Sequence, residues 1–188
     1  SFGASGASST DIVVATGTDV LTSTPVSDNA TATCEPNIEP EIEVTKACFA
    51  SLNSAGNMVN VTFNGVVSNL GNVKLNEVTV TDDNGTPGNA GDDVQVLGPI
   101  MLGLGGSANY SGGFTTASFS STDTVTAEGV DALASTPVSD TAEATCQPDI
   151  TPSIMVSKQC TAALNATADA VVVSFNGTVT NNGDVALD

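Results

Sequence analysis

Four cysteines, three lysines and one acid-rich loop are the places where this chain could do chemistry. Cys34, Cys48, Cys146 and Cys160 admit three pairings. No two stand in the C-x-x-C spacing of a structural zinc site, so bridging is expected rather than metal binding. Bridged cysteines belong to an oxidising, extracellular compartment. The run Asp82-Asp83-Asn84-Gly85-Thr86-Pro87-Gly88-Asn89-Ala90-Gly91-Asp92-Asp93 packs four carboxylates and two amides into twelve residues. Calcium takes about six to eight oxygen ligands, and Asp82, Asp83, Asn84, Asp92 and Asp93 are the candidates to supply them. The acids do not alternate as in an EF-hand, and the same residues also read as a solvated turn whose Asp and Asn side chains bond their own backbone. Lys46 and Lys158 are two of only three basic residues. By alternation Lys46 falls on the side of Ile42 and Val44, toward a core. An ammonium there needs a partner, unless its aliphatic stem carries the charge back to water. Asp28 and Asp140 likewise fall on the apolar parity of their segments.

The balance of charge narrows the functions available. Against 21 Asp and Glu stand 3 Lys and Arg, a formal charge of −18, with no histidine. Three cations cannot neutralise a run of phosphates, which argues against nucleic acid as a partner, and the same field repels anionic lipid headgroups. Without histidine there is no Ser-His-Asp triad and no imidazole metal site. With no Trp and one Tyr there is little to stack on a base or a sugar. No motif requires a cofactor, calcium being the one candidate, and an enzyme is not expected. No apolar run approaches the roughly 20 residues of a membrane-spanning helix. The opening SFGASGASST has neither the basic nor the apolar region of a signal peptide.

Self-comparison organises the chain. Thr10 to Cys34 lies over Thr122 to Cys146 at a shift of 112, with 17 of 25 positions identical, including STPVSD at 23–28 and 135–140. The match continues without a gap from Glu35–Asn76 onto Gln147–Asp188, with 20 of 42 identical and Val-x-Val-x-Phe-Asn-Gly at 59–65 and 171–177. A period of this size suits a tandem array of sandwich-sized domains rather than a solenoid. The expected division is the C-terminal part of one repeat at 1–37, a complete repeat at 38–149 and the N-terminal part of another at 150–188. That implies a segment of a longer array, the alternative being that partial ends complete one another between neighbouring chains.

Strands must position whatever chemistry the repeat carries. Val outnumbers Leu by 23 to 10, which favours pleated sheet. Val59, Val61, Phe63 and Val67 share one face against Asn60, Thr62 and Asn64, and Val171, Val173, Phe175 and Val179 repeat the pattern. Asn- and Gly-rich turns separate the runs. The expected strands are 41–48, 58–68, 73–82, 94–102, 107–115, 121–130 and 137–146, an all-β, antiparallel sandwich. The Pro-containing joint Glu35 to Pro40, matched by Gln147 to Pro152, reads as a short stiff linker.

The runs Ile42-Glu43-Val44-Thr45-Lys46, Val66-Val67-Ser68-Asn69-Leu70-Gly71-Asn72 and Val78-Thr79-Val80-Thr81-Asp82 carry a resemblance. Together with Leu97-Gly98-Pro99-Ile100, Leu102, Tyr110-Ser111-Gly112 and Val125-Thr126-Ala127, they resemble the conserved-repeat, immunoglobulin-like domains of prokaryotic cell-surface proteins. The resemblance implies tandem immunoglobulin-like sandwiches in an extracellular stalk, adhesin or envelope fibre, with no shared catalytic residues. In such a sandwich the first and last strands run side by side in parallel. That would set Cys48 at the end of the first strand beside Cys146 at the end of the last, leaving Cys34 and Cys160 to partners in adjacent repeats or chains. A bridge closing about a hundred residues contributes roughly 4 to 5 kcal/mol on the chain-entropy model. The rival pairing, Cys34 with Cys48, requires the proline joint to fold back. Some surface immunoglobulin-like domains also join a lysine to Asn or Asp by an isopeptide bond, which makes Lys46 a candidate.

The function expected is structural: a repeat segment of an extracellular filament, stalk or envelope fibre whose partners are neighbouring repeats or copies of itself. The alternative is an adhesin-type module that binds a glycan or protein through its loops. Sequons at Asn29, Asn60, Asn84, Asn109, Asn165 and Asn176, with 19 Ser and 25 Thr, offer sites for glycosylation.

Overall fold

In the computed structural model, which describes residues 6–188, eleven strands and no helix are formed. β1 (Ser9–Thr18) and β2 (Pro25–Cys34) make an N-terminal hairpin; β10 (Ile154–Leu164) and β11 (Val171–Asn181) make a C-terminal one. Between them lie β3 (Ile42–Leu52), β4 (Val59–Asn69), β5 (Leu75–Asp82), β6 (Val94–Leu102), β7 (Ser107–Thr116), β8 (Ser121–Asp131) and β9 (Pro137–Cys146). These seven form two antiparallel sheets, of order β3-β4-β7 and β6-β5-β8-β9. Each strand coincides with an expected one to within a few residues.

The alternation that marks the strands also builds the core. Ile42, Val44, Phe63, Val67 and Tyr110 from the three-stranded sheet meet Leu75, Val78, Val80, Leu102, Val125 and Ala127 from the four-stranded sheet in one buried cluster. The result is a sandwich-like, all-β unit with polar side chains on both outer faces. A second small cluster of Ala50, Val59, Val61 and Cys146 closes one end. It accounts for one departure from expectation. β3 does not stop at Cys48 but runs on to Leu52, opposite Val59, because Ala50 lies inward against this cluster with Leu52 packed on its margin. Cys48 therefore lies within its strand, as Cys160 does in β10.

The motifs that repeat most strongly turn out to shape turns and joints. Asp131 Oδ1 accepts from the amides of Leu133 and Ala134, and Oδ2 from that of Thr136. Asp19, one period earlier, accepts from Leu21, Thr22 and Thr24 in the same way. The two turns share a left-handed serine, Ser23 at φ 57 and Ser135 at φ 58. Buried Asn69 donates through Nδ2 to the carbonyls of Val73, Leu102 and Gly103 and accepts from the Gly71 amide. Asn72 beside it fixes the proline joint, accepting from Glu39 N at 2.8 Å and donating to Asn37 O at 2.9 Å. Asp184, its counterpart, accepts from Thr151 N. The joint is thus pinned to its unit by side chains of the Asn-Leu-Gly-Asn turn.

The terminal hairpins present the same faces without a cover. Phe63 is 3% exposed, whereas its counterpart Phe175 is 71% exposed. Leu75 is buried completely between the sheets, while Phe49 is 69% exposed on the outer face. Leu75→Ala is expected to cost about 3 kcal/mol of stability in the middle unit and Phe49→Ala less than about 0.5 kcal/mol, as read by urea unfolding.

Candidate functional site

The middle unit concentrates its unusual chemistry where β3 faces the opposite sheet. Cys48 in β3 and Cys146 at the end of β9 form a disulfide with Cα atoms 6.0 Å apart. Near it Asp140 Oδ2 accepts a 2.8 Å hydrogen bond from the Val44 amide. The two contacts advance together along both strands, so β3 and β9 run parallel, although they belong to different sheets. Asp140 falls on an apolar parity because it reaches across the seam to an outward-facing amide of an edge strand. That occupies a donor otherwise open to strand addition. Cys34 and Cys160 are unbridged and exposed.

Deeper along the same strand lies Lys46. Its side chain is fully buried, in contact with Asp82 Oδ2 and 2.6 Å from Asp123 Oδ2, and both carboxylates are equally enclosed. The ammonium lies 4.0 Å from the centre of the Phe63 ring, a cation–π contact that covers it from one side. Asp82 Oδ1 accepts from the Asn84 amide at 3.0 Å and Asp123 Oδ1 from that of Gly85 at 3.1 Å. Asp123 Oδ2 touches the ammonium but receives no directed hydrogen bond. Tyr110 closes the cluster, its hydroxyl donating to the Thr45 carbonyl. Gly65 makes this possible: a Cβ there would stand 1.8 Å from the Thr45 oxygen and 2.3 Å from the tyrosine hydroxyl. The glycine of Val-x-Val-x-Phe-Asn-Gly thus leaves room for the ring, and its phenylalanine shields the lysine.

Two carboxylates share one cation in a site closed to bulk solvent, and the protonation of Asp123 reflects it. Burial first, then Asp82 and Asp83, push the Asp123 carboxyl up to about 6 against the pull of Lys46. Burial, Asp82 and Asp123 push the Tyr110 hydroxyl up to about 12. Partial burial opposes ionisation of Asp83, but the amides of Thr124 and Gly85 outweigh it and hold its carboxyl below the ordinary range.

The acid-rich loop is therefore divided. Asp82 turns inward to Lys46, and Asp83 is taken up by backbone donors. Asn84 donates to the Asp92 carbonyl, and Thr86 to an Asp92 carboxylate oxygen at 2.9 Å. Asp92 and Asp93 are exposed. Among the described residues, no three His, Cys, Asp or Glu side chains converge as metal ligands do. The sequons at Asn29, Asn60, Asn109 and Asn176 are on exposed strand positions. Among the described residues, no helix is long and apolar enough to cross a membrane.

Asp123 is the member that sequence reading missed, although two signals marked it. It continues the inward parity of Val125 and Ala127, and Asp11 stands one period earlier. Compared with known proteins, the chain matches no family model, and no curated protein shows significant similarity to it.

The Asp123 carboxyl is at about 6 in the fold against 3.8 ordinarily, so between those values the folded state holds a proton that the unfolded chain has released. Its contribution is complete below about pH 4 and is lost as pH rises through 6. Asp131 acts in the opposite sense: the Ala134 amide first, with those of Thr136 and Leu133, lowers it to about 2, so its contribution fades only as pH falls below the ordinary 3.8. Equilibrium unfolding should therefore show stability declining from about pH 4 to 6. Asp123→Asn should flatten that slope and leave the acid limb in place.

Proposed function

We propose that this chain is a segment of an extracellular filament, stalk or envelope fibre, made of tandem immunoglobulin-like sandwiches that carry load and have no reactive pocket. The observation that carries the reading is the Cys48–Cys146 bridge, which joins the strand where the chain enters the middle unit to the strand where it leaves, 98 residues apart. Tension along the chain then passes from β3 through the bridge to the exit, bypassing nearly the whole unit.

Other features support the same reading. The proline joint is held by Asn72, so a pull on it is passed to the unit rather than taken up by slack. The Ala186 amide donates at 2.8 Å to the carbonyl of Gly56 in the β3–β4 turn, a point of contact between one repeat and the next. The terminal hairpins carry the faces of incomplete repeats, and Cys34 and Cys160 occupy the positions of Cys146 and Cys48. A disulfide-joined unit fits an oxidising compartment. The formal charge of −18 keeps neighbouring rods apart.

Electron microscopy of the full-length protein is the direct test. Thin rods or ordered fibres with a regular repeat are expected; a compact particle would overturn the reading, and isolated rods that bind a glycan or protein ligand at one end would favour the adhesin. Single-molecule stretching adds a second measurement. An oxidised unit should lengthen little before it detaches, whereas reduction should release at most about 350 Å more per unit, the extended length of the 98 residues now spanned by the bridge.

A further inference from the structure

Each terminal hairpin reproduces one half of the middle unit. β1–β2 pairs in the register of β8–β9, Ser9 opposite Cys34 as Ser121 is opposite Cys146. β10–β11 pairs in the register of β3–β4, Ile154 opposite Asn181 as Ile42 is opposite Asn69. The apolar faces that the middle unit buries are exposed on the hairpins, through Val13 on β1 and through Ile154, Val156, Phe175 and Val179 on the other. The middle unit itself shows what covers such faces. There β3–β4 and β8–β9 are tied directly to each other by the Cys48–Cys146 bridge, by Asp140 on the Val44 amide, and by Asp123 at 2.6 Å from Lys46. Every group in these three ties recurs at the shift of 112. Cys160, Val156 and Lys158 stand on β10, while Cys34, Asp28 and Asp11 stand on the N-terminal hairpin. Lys158 also lies over its phenylalanine as Lys46 does, 4.8 Å from the Phe175 ring centre.

We propose that copies of this chain join head to tail, the C-terminal hairpin of one packing on the N-terminal hairpin of the next as β3–β4 packs on β8–β9. The inference rests on the filament reading above and names the partner and the surface by which one chain meets another. In the joint Lys158 meets Asp11, Asp28 accepts from the Val156 amide, and Cys160 lies beside Cys34. Charge selects this pairing over the others. Lys158 is one of three cations in a chain of formal charge −18, and the N-terminal hairpin has none. Two N-terminal hairpins would set Asp11 against Asp11, and two C-terminal ones would set Lys158 against Lys158, both repulsive. Asp82 stands outside the repeated hairpins, so the joint pairs one ammonium with one carboxylate and leaves no excess charge between them.

A low-molecular-weight disulfide seals the joint. The thiolate of Cys160 attacks one of its sulfurs and releases one thiol, and the thiolate of Cys34 then attacks the Cys160 sulfur of the mixed disulfide and releases the second. Two protein thiols become one bridge, and the oxidant, having accepted two electrons and two protons, becomes two thiols. The contact is heterologous, so two copies do not close it and each addition leaves one hairpin of each kind free for the next.

Two variants of the whole chain, Cys34→Ser and Cys160→Ser, test this, since both keep the Cys48–Cys146 bridge that holds the middle unit. Mixed in oxidised and reduced glutathione, they should give a dimer of one copy of each, joined Cys160 to Cys34 in a peptide map. Either variant alone should stay monomeric, and the unvaried chain should form a ladder of multimers. A mixture that yields no dimer, or homotypic dimers that form as readily, overturns the proposal. Asp11→Lys in the Cys160→Ser copy should slow bridging by about tenfold or more, and Lys158→Asp in its partner should restore the rate. A charge swap that restores nothing overturns the pairing of Lys158 with Asp11. Rods seen by microscopy without any mixed dimer would leave the filament reading standing and this inference overturned, so the two fail separately.

Discussion

Lys46 places a positive charge between two sheets where no water reaches it, and much of the middle unit is arranged around satisfying that charge. Asp82 comes from the end of β5 and Asp123 from the start of β8, so the cluster forms only when both neighbouring strands of the four-stranded sheet are in register opposite β3. Phe63 covers the ammonium, Gly65 admits Tyr110, and Tyr110 caps the Thr45 carbonyl. Loss of Lys46 would leave both carboxylates buried and uncompensated, a penalty of several kcal/mol in comparable sites (about 3–5). The cluster thereby rewards one alignment of the sheets over its neighbours.

β3 is the strand on which these constraints converge. It is an edge strand, paired on one side only, and edges invite unwanted pairing. Here the open side is closed by side chains rather than by another ladder: Asp140 holds the Val44 amide, Lys46 reaches to β5 and β8, and Cys48 is bonded to Cys146. The ties lie within five residues of one strand, Val44 to Cys48, which is also where the chain enters the unit. A load applied at that entry would meet side-chain and covalent resistance before it could peel the β3–β4 ladder.

The internal repeat serves as a control within one molecule. Asp19 and Asp131 build the same turn, and Asn69 and Asn181 make the same bonds to a following glycine, whether or not the rest of the unit is present. These structures are local and need no partner sheet. Burial behaves differently: Phe63 and Phe175 occupy equivalent strand positions with near-opposite exposure. Turns are thus encoded by short segments, while the core exists only where both sheets are assembled.

That division also describes what the residues alone could tell. Alternation of Val59, Val61, Phe63 and Val67 determined which face is buried and the Asn- and Gly-rich turns determined where strands end, because each depends on neighbours close in the chain. The inward parity of Lys46 was equally legible. Its partners were not, since Asp82 looked like part of an acidic loop and Asp123 stands far along the chain, and only the packing of one sheet on the other brings them to the same nitrogen. The extension of β3 past Cys48 and the reach of Asp140 to Val44 have the same origin. Local patterns decide the direction in which a side chain points; what it meets there is decided by strands distant in sequence, and so by the tertiary fold.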